Sequence, residues 1–287
     1  IEGSDNLGTG VGICDVNGDG RQDVILGAAL AEDREADPRE NSQGALYIYL
    51  GIDGGLPTNL DQIVFGQAWD FEDSKFIFQN EVRLGNYIDT GDINGDGLCD
   101  VISSNWRYRT GGNNRQDGAV FVYPGRAPAG FSLGGIESQP AWGIIASGSE
   151  DDDREMARFF EVADMNNDGK EDILVSHWYD APASNRQGTL KIFLGRDLSV
   201  EAPLIVNADA QDWFIQGESS GDHLGIYSQV GDVNGDDILD VIVGSVQGGE
   251  RMNDGSNHRV GHVGVYLGQE NDVPKPNPQF VSHGEVS

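Results

Sequence analysis

The sequence predicts an all-β chain built from four copies of one unit, and three observations carry that prediction. A twelve-residue Asp-rich stretch occurs four times at near-even intervals, its first Asp residues standing 77, 72 and 68 positions apart. Each copy runs straight into a β-branched apolar segment, DVILGA, DVISS, DILVS or DVIVGS, which reads as a strand. The 287 residues include 41 glycines and few segments of helical periodicity, as in propellers or sandwiches of many short strands.

The Asp-rich stretch reads DVNGDGRQDVIL from Asp15, DINGDGLCDVIS from Asp92, DMNNDGKEDILV from Asp164 and DVNGDDILDVIV from Asp232. A hard cation of calcium's size takes roughly six to eight oxygens, and alternate residues of a tightly curled loop point inward to supply them. The expected ligands in the first copy are Asp15, Asn17, Asp19, the Arg21 carbonyl and Asp23. The matching sets are Asp92, Asn94, Asp96, the Leu98 carbonyl and Asp100; Asp164, Asn166, Asp168, the Lys170 carbonyl and Asp172; and Asp232, Asn234, Asp236, the Ile238 carbonyl and Asp240. Four structural calcium ions are therefore expected. Like charges about 4 Å apart repel by roughly 4 kcal/mol at an effective dielectric near 20, so without a cation each loop is expected to spring open.

The sixth loop position needs a tight or left-handed backbone, which Gly20, Gly97 and Gly169 supply; Asp237 stands there in the fourth copy and predicts a kept but strained loop. An EF-hand is excluded, because its twelfth-position Glu is replaced by Leu26, Ser103, Val175 and Val243. Dockerin-type loops continue into a helix, whereas these continue into strands.

The repeat extends beyond the loop. Leu7-Gly8, Leu84-Gly85, Met156-Ala157 and Leu224-Gly225 stand ahead of the loops, and a second strand follows each: GALYIYLG from Gly44, GAVFVYPG from Gly118, GTLKIFLG from Gly188 and GHVGVYLG from Gly261. A third apolar strand begins near Gln62, Ala141, Asp212 and Gln279. These motifs, over essentially the whole chain, resemble the FG-GAP repeat, the blade unit of the integrin α-subunit N-terminal β-propeller. The resemblance implies four-stranded antiparallel blades with calcium bound between the first two strands. The third copy departs from it, with Met-Ala for Leu-Gly and Asn167 for a loop glycine.

One propeller unit over 1–287 is expected, with repeats at about 1–66, 67–143, 144–217 and 218–287. The chain opens on what resembles the end of a fourth strand, without an initiator Met, so it reads as a mature or excised segment. Four blades make either a four-bladed ring or part of a larger, seven-bladed propeller of the resembled kind. The larger ring is favoured because a blade needs both neighbours to bury its faces.

Polar segments at 31–43, 105–117, 177–187 and 246–260 join the second and third strands. The resemblance puts them on the face opposite the calcium loops, beside the acidic blade-joining segments 68–76, 147–155 and 217–225. Trp106, Arg107, Tyr108, Arg109, His177, Trp178 and Tyr179 concentrate there as candidate ligand contacts, since aromatics and Arg anchor proteins and sugars. The same rings could instead cover blade edges.

Cys14 and Cys99 flank the first two loops; they pair if adjacent blades bring them within about 7 Å, and otherwise are buried thiols. The five histidines lack zinc spacing, and no nucleophile elbow, phosphate loop or dinucleotide fingerprint occurs. With 48 acidic against 18 basic residues the net charge is −30, which argues against nucleic acid. No run is long enough to cross a membrane as a helix. The expectation is an extracellular or cell-surface calcium-binding module that acts by binding rather than catalysis, for adhesion or assembly through protein contacts. A calcium-dependent, lectin-like carbohydrate-binding propeller is the alternative, and an accessory or catalytic propeller of a polysaccharide-acting enzyme is a third reading. Further blades of the same or another chain are conceivable partners.

Overall fold

A computed structural model describes residues 5–33, 42–55, 57–70, 72–77, 82–106, 108, 117–130, 132–146, 156–177, 187–218, 220–246, 249–251, 257–259 and 261–283. Among them every regular element is a β-strand, and no helix is long and apolar enough to cross a membrane. Four sheets of propeller-blade type follow one another along the chain.

Blade 1 is Leu7–Cys14, Asp23–Ala28, Ala45–Tyr49 and Gln62–Phe65, antiparallel and paired in chain order. Blade 2 repeats this with Tyr87–Gly91, Asp100–Asn105, Ala119–Tyr123 and Trp142–Ile145, and blade 3 with Phe160–Ala163, Asp172–His177, Thr189–Phe193 and Trp213–Gln216. Blade 4 comprises Leu224–Gly231, Asp240–Ser245, His262–Tyr266 and Phe280–His283. In blades 2 and 3 the second and third strands are buried along their whole length. That is why they lack the alternation of buried and exposed residues that a half-exposed strand shows: both sheet faces are covered.

The chain divides into two compact units, one of Ile1–Ser147 with Arg196–Ala208, the other of Gly148–Gly195 with Asp209–Ser287. The first has a core around Ile25, Leu46, Ile48, Val101, Phe121 and Tyr123, the second around Leu174, Leu190, Ile192, Trp213 and Val241. Each such fully buried side chain contributes about 1.5–3 kcal/mol relative to exposure. The segment Arg196–Ala208 is an excursion between the third and fourth strands of blade 3. Its strand Leu204–Asn207 adds in parallel to Trp142–Ile145, giving that sheet a fifth strand, and the Arg196 guanidinium lies 4.6 Å from the centre of the Trp142 ring.

Two of the Leu-Gly pairs, Leu84-Gly85 and Leu224-Gly225, are docking points between blades. The Leu84 N–H donates to the Gln43 carbonyl at 2.9 Å, and the Leu224 N–H to the Gln187 carbonyl at 2.9 Å. Gly27 and Gly85 let two backbones touch, for a Cβ on Gly27 would run into the Gly85 carbonyl. Where the third repeat has Met156-Ala157 instead, Ala157 takes a φ of +62°. Cys14 and Cys99 form a disulfide, with Cα atoms 6.1 Å apart.

The acidic segment from Ala68 is not an open loop. It folds into a hairpin, Ala68–Asp70 against Lys75–Ile77, with Trp69 edge-on to Phe76 at 4.9 Å.

Candidate metal centres

All four Asp-rich loops connect the first and second strands of their blades and share one pattern of hydrogen bonds. In loop 1 the Asp15 carboxylate accepts from the N–H groups of Gly18, Asp19 and Gly20 at 2.7, 3.1 and 2.7 Å. The side chains of Asn17 and Asp19 accept from the N–H groups of Asp19 and Arg21. The loop is thus wound around the oxygens of its first, third and fifth residues. Loop 2 repeats every one of these bonds through Asp92, Asn94 and Asp96, and loop 4 through Asp232, Asn234 and Asp236. Loop 3 repeats the pattern from Asp168 onward, through Asp164, Asn166 and Asp168.

The sixth residue closes the turn in the left-handed region: φ is +85° at Gly20, +84° at Gly97, +88° at Gly169 and +67° at Asp237. Asp237 therefore adopts the glycine conformation, and its N–H still bonds Asp232 at 2.9 Å. In loop 3 Asn167 does the same in place of the fourth-position glycine, at +58°.

The ninth-position acids, Asp23, Asp100, Asp172 and Asp240, are fully buried at the start of the second strands. One oxygen of each accepts the N–H of the second loop residue (Val16, Ile93, Met165 or Val233), and the other accepts the N–H of the glycine that follows the third strand (Gly51, Gly125, Gly195 or Gly268). Burial, reinforced by the loop's other acids and opposed by these bonds, pushes the Asp100 and Asp172 carboxyls up to about 7 and raises Asp23 as well. Exposed Asp232 is instead lowered, first by the Asp237 N–H.

The third-strand glycines are members of the site that inspection of the loops alone misses. A Cβ on Gly125 would meet the Cys99 carbonyl at 2.6 Å, and similar collisions with the eighth loop residue face Gly51 and Gly268. The signal was present in the sequence: GALYIYLG, GAVFVYPG, GTLKIFLG and GHVGVYLG all end in Gly.

The donor set in each loop is all oxygen: three carboxylates, an Asn amide and a carbonyl. Each carboxylate oxygen that holds a backbone N–H keeps a second lone pair. Among the described residues no three His, Cys, Asp or Glu side chains stand clustered to hold a metal unaided. The candidate set depends on Asn and main-chain oxygens as well, and the chemistry of the set fits a hard divalent cation.

The loops are covered unequally. The second loop residue is 0 % exposed at Val16 and Ile93, 1 % at Met165 and 57 % at Val233. Over loop 1 lies the hairpin Gly125–Arg126 with Gly135–Ile136: the Arg126 N–H donates to the Val16 carbonyl and the Asn17 amide to the Leu133 carbonyl, each at 2.9 Å. Over loop 2 the Arg196 N–H donates to the Ile93 carbonyl at 3.0 Å, and over loop 3 the Asn271 N–H donates to the Asn166 carbonyl at 2.6 Å.

Among the described residues, none of the candidate ligand contacts is exposed. Tyr108 is 1 % exposed; its hydroxyl accepts the Trp69 N–H at 2.9 Å and its ring stands edge-on to Phe121 at 5.4 Å. Burial pushes its hydroxyl up to about 12. Tyr108 is a core residue, because its ring has an apolar partner and its one polar atom a donor. His177 ends a central strand opposite Thr189 and is buried. Trp106 is half-buried. Arg107, Arg109, Trp178 and Tyr179 lie outside the described residues, as does the acidic run 147–155.

Residues 7–49 match the FG-GAP repeat family. The chain is 28 % identical over 223 residues to phosphatidylinositol-glycan-specific phospholipase D of Homo sapiens, covering 74 % of this chain and 23 % of that protein. It is 25 % identical over 226 residues to integrin alpha-5 of Xenopus laevis, covering 75 % of this chain and 18 % of that one. The chain thus spans about a fifth of the length of these curated relatives. A rhamnogalacturonan lyase from Bacillus licheniformis aligns over 98 % of this chain and 52 % of its own at 11 % identity, with a TM-score of 0.41, a likeness too weak to carry more.

Proposed function

From a chain that carries FG-GAP repeat sequence and resembles the integrin α-subunit propeller, we propose that this is an extracellular or cell-surface module whose blades are stapled by calcium and which acts by binding a protein partner in adhesion or assembly. The observation that carries the reading is the shared wiring of the four loops, each wound around the side-chain oxygens of its first, third and fifth residues with a buried ninth Asp tied to its second residue. Asp15, Asn17, Asp19, the Arg21 carbonyl and Asp23 would hold the first ion, and the corresponding residues of loops 2 to 4 the others. A bound divalent cation supplies the positive charge that relieves repulsion among those carboxylates.

The chain's own residues do the rest. The ninth Asp ties its loop to the second strand and, through the glycine N–H, to the third, so a loop fixed by metal fixes three strands of its blade. Four ions would bring the net charge from −30 to −22, still strongly acidic and suited to an extracellular medium with millimolar calcium. The integrin relative favours protein contacts. Burial of Tyr108 and His177 thins the aromatic surface that a sugar-binding reading needs.

The test is binding of the whole chain to arrays of matrix proteins and glycans, in calcium and again in EGTA, with Trp106→Ala alongside. Calcium-dependent protein hits support the proposal. Hits on glycans alone, or protein binding indifferent to EGTA, would overturn it.

A further inference from the structure

We propose that the Cys14–Cys99 disulfide couples the metal sites of loops 1 and 2 and makes their affinity, but not that of loops 3 and 4, dependent on thiol redox state. The inference rests on the calcium reading of the loops.

The cross-link joins the two places where it can act most directly on ligands. Cys14 immediately precedes Asp15, the first ligand of loop 1, and Cys99 immediately precedes Asp100, the last of loop 2. The same residues are joined by the backbone: the Cys99 N–H donates to the Asp15 carbonyl at 3.1 Å. Gly125 and Arg126 complete the junction, one N–H reaching the Asp100 carboxylate and the next reaching the Val16 carbonyl, both at 2.9 Å. The entry of loop 1 and the exit of loop 2 therefore move as one body, and positioning Asp100 for a cation also positions Asp15.

Unit 2 provides the internal control. The corresponding residues are Ala163, before Asp164, and Leu239, before Asp240, so loops 3 and 4 lack the cross-link. The remaining equivalents, Gln22 in loop 1 and Gly91 before loop 2, are not cysteines either. The bond thus serves one pair of sites.

Its opening is thiol–disulfide exchange with an external dithiol. The dithiol closes to its own disulfide and delivers two electrons and two protons, leaving Cys14 and Cys99 as thiols. Without the covalent tether the loop entry and exit are held only by hydrogen bonds, and ordering them falls to the metal, which lowers its apparent affinity. An oxidising, calcium-containing compartment closes the bond and fills the sites together.

The experiment is calcium titration of the whole chain by calorimetry, oxidised and after dithiothreitol, with the double variant Cys14→Ala/Cys99→Leu, which copies the pair found in unit 2. Cys14→Ser/Cys99→Ser serves as a second variant, and circular dichroism reports folding. The expected result is that reduction and substitution each weaken two of four sites by about fivefold or more. The other two sites hold, and dithiothreitol has no effect on either variant. Four affinities unmoved by reduction would overturn the coupling while leaving the calcium reading intact. Uniform weakening of all four would overturn it in favour of general destabilisation. An oxidised, folded chain that binds no calcium would overturn the calcium reading itself.

Discussion

Replacing Asp100 by Asn separates what the buried carboxylate does for the fold from what it would do for the proposed calcium ion. Asp100 is fully buried; its oxygens accept the Gly125 and Ile93 N–H groups at 2.9 and 3.0 Å, and its carboxyl is raised from 3.8 to about 7. Asn keeps one acceptor and turns the other into a donor, so one backbone N–H loses its partner, a loss of about 1–3 kcal/mol. Against this, holding such a carboxyl ionised near pH 8 is unfavourable by up to about 4 kcal/mol. In EGTA the two effects oppose, and Asp100→Asn is expected to be neutral or to stabilise unit 1 by about 1–2 kcal/mol. In calcium the variant forfeits a ligand, and with it up to about 2.7 kcal/mol of the stabilisation from a site filled at a hundredfold excess over its dissociation constant. The sign of the effect therefore reverses with calcium. Urea unfolding of the whole chain near pH 8, with and without calcium, measures both arms. An equal destabilisation in EGTA and in calcium would refute the reasoning, because the carboxylate would then be only a hydrogen-bond acceptor.

The same buried acids predict the pH dependence of the chelated protein. Asp100 and Asp172 have folded pKa values near 7, above the unfolded value near 4, so the folded state holds the proton more tightly. Stability in EGTA should rise as pH falls from about 8 towards 5, and the gain from calcium should shrink over the same window; a flat melting temperature in EGTA would contradict this. Asp237→Gly relieves a left-handed aspartate and should stabilise by up to about 1 kcal/mol, while Gly97→Ala, whose Cβ would meet nothing, should cost about 1–2 kcal/mol from backbone conformation alone. Opposite signs in chemical denaturation check the pair. Gly27→Ala forces a methyl into the Gly85 carbonyl and should cost about 1–3 kcal/mol, read as a lower urea midpoint. A change below about 0.5 kcal/mol would mean the two blades do not meet there.

Much of the fold was legible because its signals are local. The hydrogen-bonded turn of each Asp-rich loop, its sixth-position residue and the strands that follow all depend on neighbours in sequence, and Asp237 at φ +67° shows how far the loop's wiring dictates backbone even against residue preference. What escaped depends on contacts far along the chain. LIVN at Leu204–Asn207 is a short apolar run that names no partner, and its parallel pairing with Trp142–Ile145 is set by tertiary packing. Tyr108 sits in a segment whose Arg and Gly neighbours read as exposed, yet Trp69 and Phe121 enclose it. The Cys14–Cys99 bond required two blades to be placed side by side, which spacing alone does not provide. The third-strand glycines were visible as a motif, but their bond to the ninth Asp was not.

The excursion Arg196–Ala208 separates two kinds of boundary that repeat proteins usually keep together. The unit of duplication, read from the recurring loops, starts afresh with each blade. The unit of cohesion does not, because the third repeat gives one strand to the sheet of the second. A gene cut at the end of the second repeat would encode two blades but would strip the outer edge of the second, leaving Trp142–Ile145 as an unprotected template for another chain. Shuffling these repeats as interchangeable cassettes therefore carries an aggregation hazard at that one seam, and the piece of coding sequence that travels safely is longer than the repeat.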